Sequence, residues 1–259
     1  MLEVTQERIY DALEAIGITD SDGLLIHSAI QFLGAPIGGI ALYFETLKSK
    51  IGPAGTLVVP TFNFDFPSNL EFDPLATPSK GMGAFSEYVR VHPDSKRTLH
   101  PMQSVACNGK YAADLAERDT PCAFDDGSAY DRMLELDFKL LLLGANVQSV
   151  SMLHYSEQRA RVPYRYWKEF TGQIRTQSGW ENRTYLMYVR DMDIDPKLSL
   201  KPVRRYLEDN GNWRSTELNY GKLSSCRLVD FVDAVDHFLA QDPLSLIHIS
   251  EPTRLKTRS

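Results

Sequence analysis

Cysteine is scarce in this chain. Cys107, Cys122 and Cys226 are too few and too scattered for a disulfide framework, and no CxxC pair or Cys/His ligand spacing occurs. Neither a disulfide scaffold nor a metal site is therefore expected. Long apolar runs are also missing: stretches such as "LLLLGA" fall far short of the roughly 20 residues a membrane-spanning helix needs. There is no basic excess. With 28 Lys and Arg against 34 Asp and Glu, the formal net charge is −6, which argues against a general nucleic-acid or membrane-surface binder. The opening "MLEVTQERIYDALEAIGI" lacks the basic start and apolar stretch of a signal peptide, so a reducing cytoplasm is the expected location. Three catalytic signatures are absent too: GxGxxG, the phosphate loop ending in GK[ST], and the GxSxG nucleophile elbow.

What remains is an alternation of helical and buried-strand patterns. Residues 4–16 read as an amphipathic helix with Ile9, Leu13 and Ile16 on one face. "DGLLIHSAI" (22–30) reads as a strand, "GGIALYFETLKSKIG" as a helix closed by Gly52 and Pro53, and "GTLVVPTFNF" (55–64) as a second strand. "GAFSEYVRVHPD" is a helix, and "FKLLLLGA" (138–145) is a strand buried on both faces. Beyond residue 170 short strands are expected near 173–191, then a last helix around 226–240. The expected fold is α/β: a central, largely parallel sheet flanked by helices, with a smaller C-terminal α+β lobe from about residue 170. Residues 1–241 form one domain on this reading. The basic, unpatterned segment 242–259 resembles a translated vector scar more than native structure and is set apart as a non-native or disordered tail.

Four stretches carry residues suited to chemistry. "HSAIQFLGAPIGGI" (27–40) joins a strand to a helix, and Gly34, Gly38 and Gly39 let backbone approach a ligand. On spacing alone a plain loop and an anion site fit equally. "PTFNFDF" alternates Thr61, Asn63 and Asp65 with phenylalanines, so a strand would put the polar groups on one side, lining a cleft or facing solvent. "KRTLHPMQS" offers Arg97 and Ser104 to an anion, with His100-Pro101 restricting the backbone. In "SVSMLHYSEQ", His154 and Glu157 stand three apart at the start of a helix that follows a buried strand. An imidazole held by a carboxylate is a competent general base near neutral pH; a surface ion pair has the same spacing.

In order, these stretches resemble the aminoglycoside 3-N-acetyltransferase family. His27-Ser28, Leu33-Gly34, Gly38-Gly39, "GTLVVPT", "HPMQS", Gly127-Ser128, "LLLG" (141–144) and "LHYSE" (153–157) follow the family's sequence of motifs across roughly residues 5–240. Ala129 and Ser156 depart from it but spare His154 and Glu157.

The resemblance implies an acetyl-CoA-dependent N-acetyltransferase, with no metal. His154 is implied as the general base and Glu157 as its orienting acid. Coenzyme A would lie on His27, Ser28, Ala29, Ile30, Phe32, Leu33, Gly34, Gly38 and Gly39, with Ser104 facing the same cleft. For the amine acceptor, Thr61, Asn63, Asp65, Asp125, Tyr164 and Arg165 are the candidate contacts. A polycationic aminoglycoside calls for the carboxylates Asp65, Glu71, Asp73, Asp125 and Asp126. A nucleotide-linked amino sugar, the rival acceptor, calls for Arg161, Arg165 and the neighbouring rings. A non-catalytic binding relative and a hydrolase are further rivals. No nucleic-acid or membrane partner is expected, and a monomer and a homodimer fit equally.

Overall fold

A computed structural model describes residues 2–249 except residue 195. In chain order its principal strands are β1 (Gly23–Ser28), β2 (Thr56–Pro60), β3 (Lys96–Arg97), β4 (Val105–Gly109), β5 (Lys139–Leu143), β6 (Arg165–Thr176), β7 (Gly179–Arg190), β8 (Arg214–Leu218) and β9 (Gly221–Arg227). The principal helices are α1 (Gln6–Ala15), α2 (Ala41–Ile51), α3 (Gly83–Val91), α4 (Ala129–Glu135), α5 (Leu153–Ala160) and α6 (Leu228–Gln241).

Seven strands form one sheet in the order β8-β9-β5-β1-β2-β4-β3. Its middle, β5-β1-β2, is parallel, and the strands on either flank are antiparallel. The apolar runs seen in the sequence occupy that middle because it is covered on both faces. Alternate residues feed two separate cores. Leu24, Ile26, Leu57 and Leu141 pack under α1, α2 and α3. Leu25, Val58, Leu140 and Leu142 pack under α4, α5 and α6. His27 follows Leu25 by two residues, so it shares the second face, where α5 lies.

Local chemistry sets several boundaries. The Thr5 hydroxyl accepts from Arg8 N–H at 3.3 Å and starts α1. Ser128 does the same for α4, accepting from Asp131 N–H at 3.2 Å. The second strand is shorter than expected. It ends at Pro60, and only two further backbone bonds, Thr61 N–H to Ser104 and Asn63 N–H to Met102, follow the ladder. Asn63 Oδ1 then accepts from Asp65 N–H at 2.8 Å, turning the chain into the short helix Phe66–Asn69. The expected alternation of three polar groups against three rings therefore does not form.

The short strands expected near 173–191 are instead one long hairpin, β6–β7, whose twelve pairs run from Arg165↔Arg190 to Thr176↔Gly179. This hairpin carries the smaller C-terminal lobe, while β8, β9 and α6 return to the main layers. Of the segment set apart from 242, Leu246 is buried and Ile247–Ile249 pairs antiparallel with Pro196–Leu198. An apolar Leu-Ile step finds a strand partner there, so packing continues past residue 241. Residues 250–259 lie outside the described residues. Among the described residues no helix is long and apolar enough to cross a membrane.

Candidate active site

The parallel strands β1 and β5 end side by side, with Ser28 opposite Leu143. Past this edge Gly144 turns at φ 75°, and a Cβ there would sit 2.7 Å from the Ala29 carbonyl, so only glycine lets the two loops approach this closely. Open α/β sheets gather their chemistry at this carboxyl edge.

One turn into α5, His154 Nδ1 lies 2.7 Å from Glu157 Oε2. Glu157 is almost wholly enclosed, at 1% side-chain exposure, while His154 keeps 28%. Tyr164 donates its hydroxyl to Glu157 Oε1 at 3.0 Å, and Arg165 Nε stands 2.9 Å from Oε2. Burial alone would raise the Glu157 pKa. The His154 hydrogen bond and the positive charges of His154 and Arg165 outweigh it, holding the carboxyl below its ordinary range. An ionised carboxylate only accepts, so Nδ1 carries the proton and Nε2 is the basic nitrogen. Nη2 of Arg165, 3.2 Å from Nδ1, is then a close approach of two donors and not a hydrogen bond. The Phe124 ring meets the imidazole edge-on at 5.6 Å.

Tyr164 and Arg165 reach Glu157 because α5 ends abruptly. Arg161 takes a left-handed φ of 49°, and Val162 N–H bonds back to the Glu157 carbonyl. The chain reverses, and β6 begins with Arg165 under the helix. Both residues were expected to touch the acceptor. Both brace the carboxylate; Tyr164 is buried, while Arg165, whose Nη1 also binds the Tyr188 carbonyl at 3.0 Å, lines the neighbouring cleft as well.

His27 is enclosed at the end of β1. Ser151 N–H donates to its Nε2 at 3.3 Å, the Ser151 hydroxyl lies 3.4 Å from the same atom, and Tyr130 OH reaches that hydroxyl at 3.1 Å. Burial and, second, the His154 charge push the His27 pKa down to about 3. His27 is therefore neutral at physiological pH.

The glycine-bearing loop divides in two. Ser28, Ala29 and Ile30 are half-buried, and Phe32, Gly38 and Gly39 are exposed. Gly38 and Gly39 turn at φ 92° and 83°, and nothing lies within 4 Å of where their Cβ atoms would stand. Leu33 and Gly34 are not open in this way: Leu33 belongs to the core, and Gly34 is wedged against the Leu2 carbonyl and Asn219.

Ser104 and Thr61 are likewise misplaced by the sequence reading. Both are fully buried, and their hydroxyls, 3.1 Å apart, accept from Arg97 Nε at 3.0 Å each. Arg97 also bonds the Thr61 and Thr77 carbonyls, at 2.6 and 2.5 Å, and lies over the Phe72 ring. No carboxylate pairs with this guanidinium, and burial pulls its pKa down to about 9. Asn63 is buried as well, donating to the Pro78 carbonyl at 2.8 Å.

Two acidic groups stay apart. A cleft of about 800 Å³ is lined by Phe124, Asp125, Asp126, Arg165, Trp167 and Tyr188 among others. Asp125 is held there by Gln158 Nε2 at 2.7 Å. Asp65, Glu71 and Asp73 line a different cleft of about 550 Å³ with Trp180, and Asp65 pairs with Lys80.

Two contributors were missed in the sequence. Ser151 joins His27 to the turn before His154, and only the three-residue offset from His154 hinted at it. Phe124 packs on His154 from a loop with no signal of its own.

The sequence profile described as Aminoglycoside 3-N-acetyltransferase matches residues 25–240. Aminoglycoside N(3)-acetyltransferase III of Salmonella sp is 30% identical over 182 residues, and the match spans 63% of this chain and 63% of that relative's length. The solved aminoglycoside acetyltransferase AAC(3)-IVa superposes with a TM-score of 0.81 at 25% identity, covering 96% of this chain and 93% of that one. The binary complex of AAC-IIIb with CoASH gives 0.81 at 17% identity, covering 97% and 100%, a likeness of fold. This chain belongs to the aminoglycoside 3-N-acetyltransferase family.

Proposed function

We propose that the protein transfers the acetyl group of acetyl-CoA directly to a primary amine of an aminoglycoside, the 3-amino group of its 2-deoxystreptamine ring. The observation that carries this is the His154–Glu157 pair: a half-open imidazole fixed by a buried, ionised carboxylate. A primary amine is protonated at neutral pH and cannot attack a thioester until it loses a proton. Nε2 of His154 takes that proton, and Glu157 with Arg165 and Tyr164 holds the ring and offsets its new charge. The nitrogen then bonds to the acetyl carbon and sheds its second proton as the sulfur leaves as thiolate; one of the two protons ends on sulfur and the other passes to solvent.

On this reading coenzyme A lies on the open backbone at Gly38 and Gly39, with Phe32 and Ser28 alongside; that AAC-IIIb, a protein of like fold, is solved with CoASH supports coenzyme A as the donor's carrier. Acetyl-CoA supply makes the cytoplasm the place of action. A nucleotide-linked amino sugar is the weaker acceptor, because the similar proteins are named for aminoglycosides and two of its candidate contacts, Tyr164 and Arg165, are engaged by Glu157.

The test is release of free CoA thiol with a panel of 2-deoxystreptamine aminoglycosides and nucleotide-linked amino sugars. Turnover with the aminoglycosides, and none without acceptor, is expected. Turnover only with sugar nucleotides, or thiol release without any amine, overturns the proposal.

A further inference from the structure

His27 has one ring nitrogen explained and one left over. Its Nε2 accepts from a backbone N–H, that of Ser151, at 3.3 Å. A backbone amide can only donate, so Nε2 is unprotonated and, in a neutral ring, the proton sits on Nδ1. No protein atom accepts from Nδ1 among the described residues. The wholly enclosed side-chain polar atoms without a partner are Tyr43 OH, Gln103 Oε1, Ser156 Oγ and Arg165 Nε. Nδ1 of His27 is not one of them, so although the residue is only 6% exposed this N–H keeps contact with solvent.

The position of that N–H is defined from two sides. His27 is the penultimate residue of β1, just before Ser28, Ala29 and the loop that carries Gly38 and Gly39. Across the edge, Ser151 is bound to His27, and its carbonyl accepts from the His154 N–H at 3.0 Å, so the two histidines are fixed to one turn.

We propose that His27 is a further catalytic residue, whose neutral Nδ1–H donates to the thioester carbonyl oxygen as negative charge builds on it. The proposal rests on the acetyl-transfer reading. When the amine nitrogen bonds to the acetyl carbon, the carbonyl π pair moves onto oxygen, and the N–H meets that charge without giving up its proton. The pair then returns, the carbonyl re-forms and the C–S bond breaks, its electrons leaving on sulfur. The donor needs no reorganisation, because Ser151 holds the tautomer and Tyr130 OH holds Ser151. Burial keeps the ring neutral, so it repels the cationic acceptor less than an imidazolium would.

Two variants separate donor from scaffold. Asn keeps an N–H at the δ position, whereas Gln keeps a group facing Ser151 and loses the δ donor. His27→Gln is expected to lower kcat by about 10²–10³-fold, the usual loss for one such donor, with KM for acetyl-CoA little changed. His27→Asn is expected to stay within about tenfold of wild type. Near-normal kcat in His27→Gln, or equal loss in both variants at unchanged melting temperature, overturns the proposal. Imidazole ¹⁵N shifts of the wild-type protein give a readout free of activity. A neutral His27 protonated on Nδ1 across pH 5–8 is expected, and an Nε2-protonated or charged ring overturns it. Wild-type protein inactive with every amine would defeat the transferase reading while leaving the tautomer result standing.

Discussion

Two buried polar clusters lie near the carboxyl edge of the same sheet, and they are built oppositely. Around Glu157 a carboxylate sits at the centre, with a guanidinium ion-paired to it and a phenol and an imidazole hydrogen-bonded to it, and the imidazole opens to solvent. Around Arg97 a guanidinium sits at the centre, ringed by hydroxyls and carbonyls with no carboxylate, and it is closed. The first leaves a basic nitrogen free for a substrate. The second spends its donors on Thr61, Ser104 and the backbone at 74 and 77, and so ties the 61–80 loop to β3 and β4. On the proposed reading, polar residues at this sheet edge therefore divide into those that react and those that hold the loops. What separates them is whether the cluster leaves an atom open.

That contrast is sharpest in turnover. His154→Ala is expected to lower kcat by at least about a hundredfold with CoA binding retained. Fluorescence titration with CoA beside steady-state kinetics checks it, and near-normal turnover would remove His154 from the mechanism.

Glu157→Gln is next. It leaves the Arg165 guanidinium, 9% exposed, without its counter-charge, and an expected loss of about 3 kcal/mol is measurable by urea unfolding, together with lower kcat. A variant as stable as wild type would mean that the Arg165 pairing contributes little.

Arg97→Lys probes the other cluster. The lysine keeps the charge but cannot reproduce the planar fork, so about 2 kcal/mol of stability should be lost while kcat changes by less than about threefold. A collapse of kcat at full stability would move Arg97 into the reacting cluster.

The smallest effect is set by pH. His27 and His100 are held neutral by burial, with pKa values lowered from 6.5 to about 3 and about 4. The unfolded chain takes up these protons first, so the stability is present above pH 6.5 and is lost as pH falls toward 4 and then 3. At pH 5.5 each histidine should cost about 1 kcal/mol. A urea midpoint flat between pH 7 and 5.5 would show that both rings titrate normally.

The sequence carried the middle of this molecule better than its edges. Continuous runs such as Leu140–Leu143 announce a doubly covered strand, and β1, β2 and β5 stand within a few residues of their expected places. The same burial hides direction: Leu223 and Cys226 on β9 are as enclosed as their partners, so an antiparallel neighbour reads like a parallel one. The hairpin was blurred for another reason. From Arg165 to Glu169 no residue is buried, so alternation carries no inside-outside signal. In the site, His154 and Glu157 were legible because one helical turn joins them. Tyr164 and Arg165 were named for another role, since their contact with Glu157 depends on the left-handed turn at Arg161, a residue with no glycine signature. Ser104 and Thr61 were misplaced because a polar residue looks the same in sequence whether it meets a ligand or a buried arginine.

The reversal at Arg161 has a mechanical consequence. The residue that braces Glu157 is also the root of a twelve-residue ribbon, and Tyr166, Trp167 and Tyr188 on that ribbon line the cleft. The His154–Glu157 pair and the cleft wall thus share one anchor, Arg165. The ribbon residues that line this cleft all lie within three pairs of Arg165, so on the proposed reading a change at the root reaches the cleft wall and Glu157 together, while the far end, at Trp180, faces a different cleft.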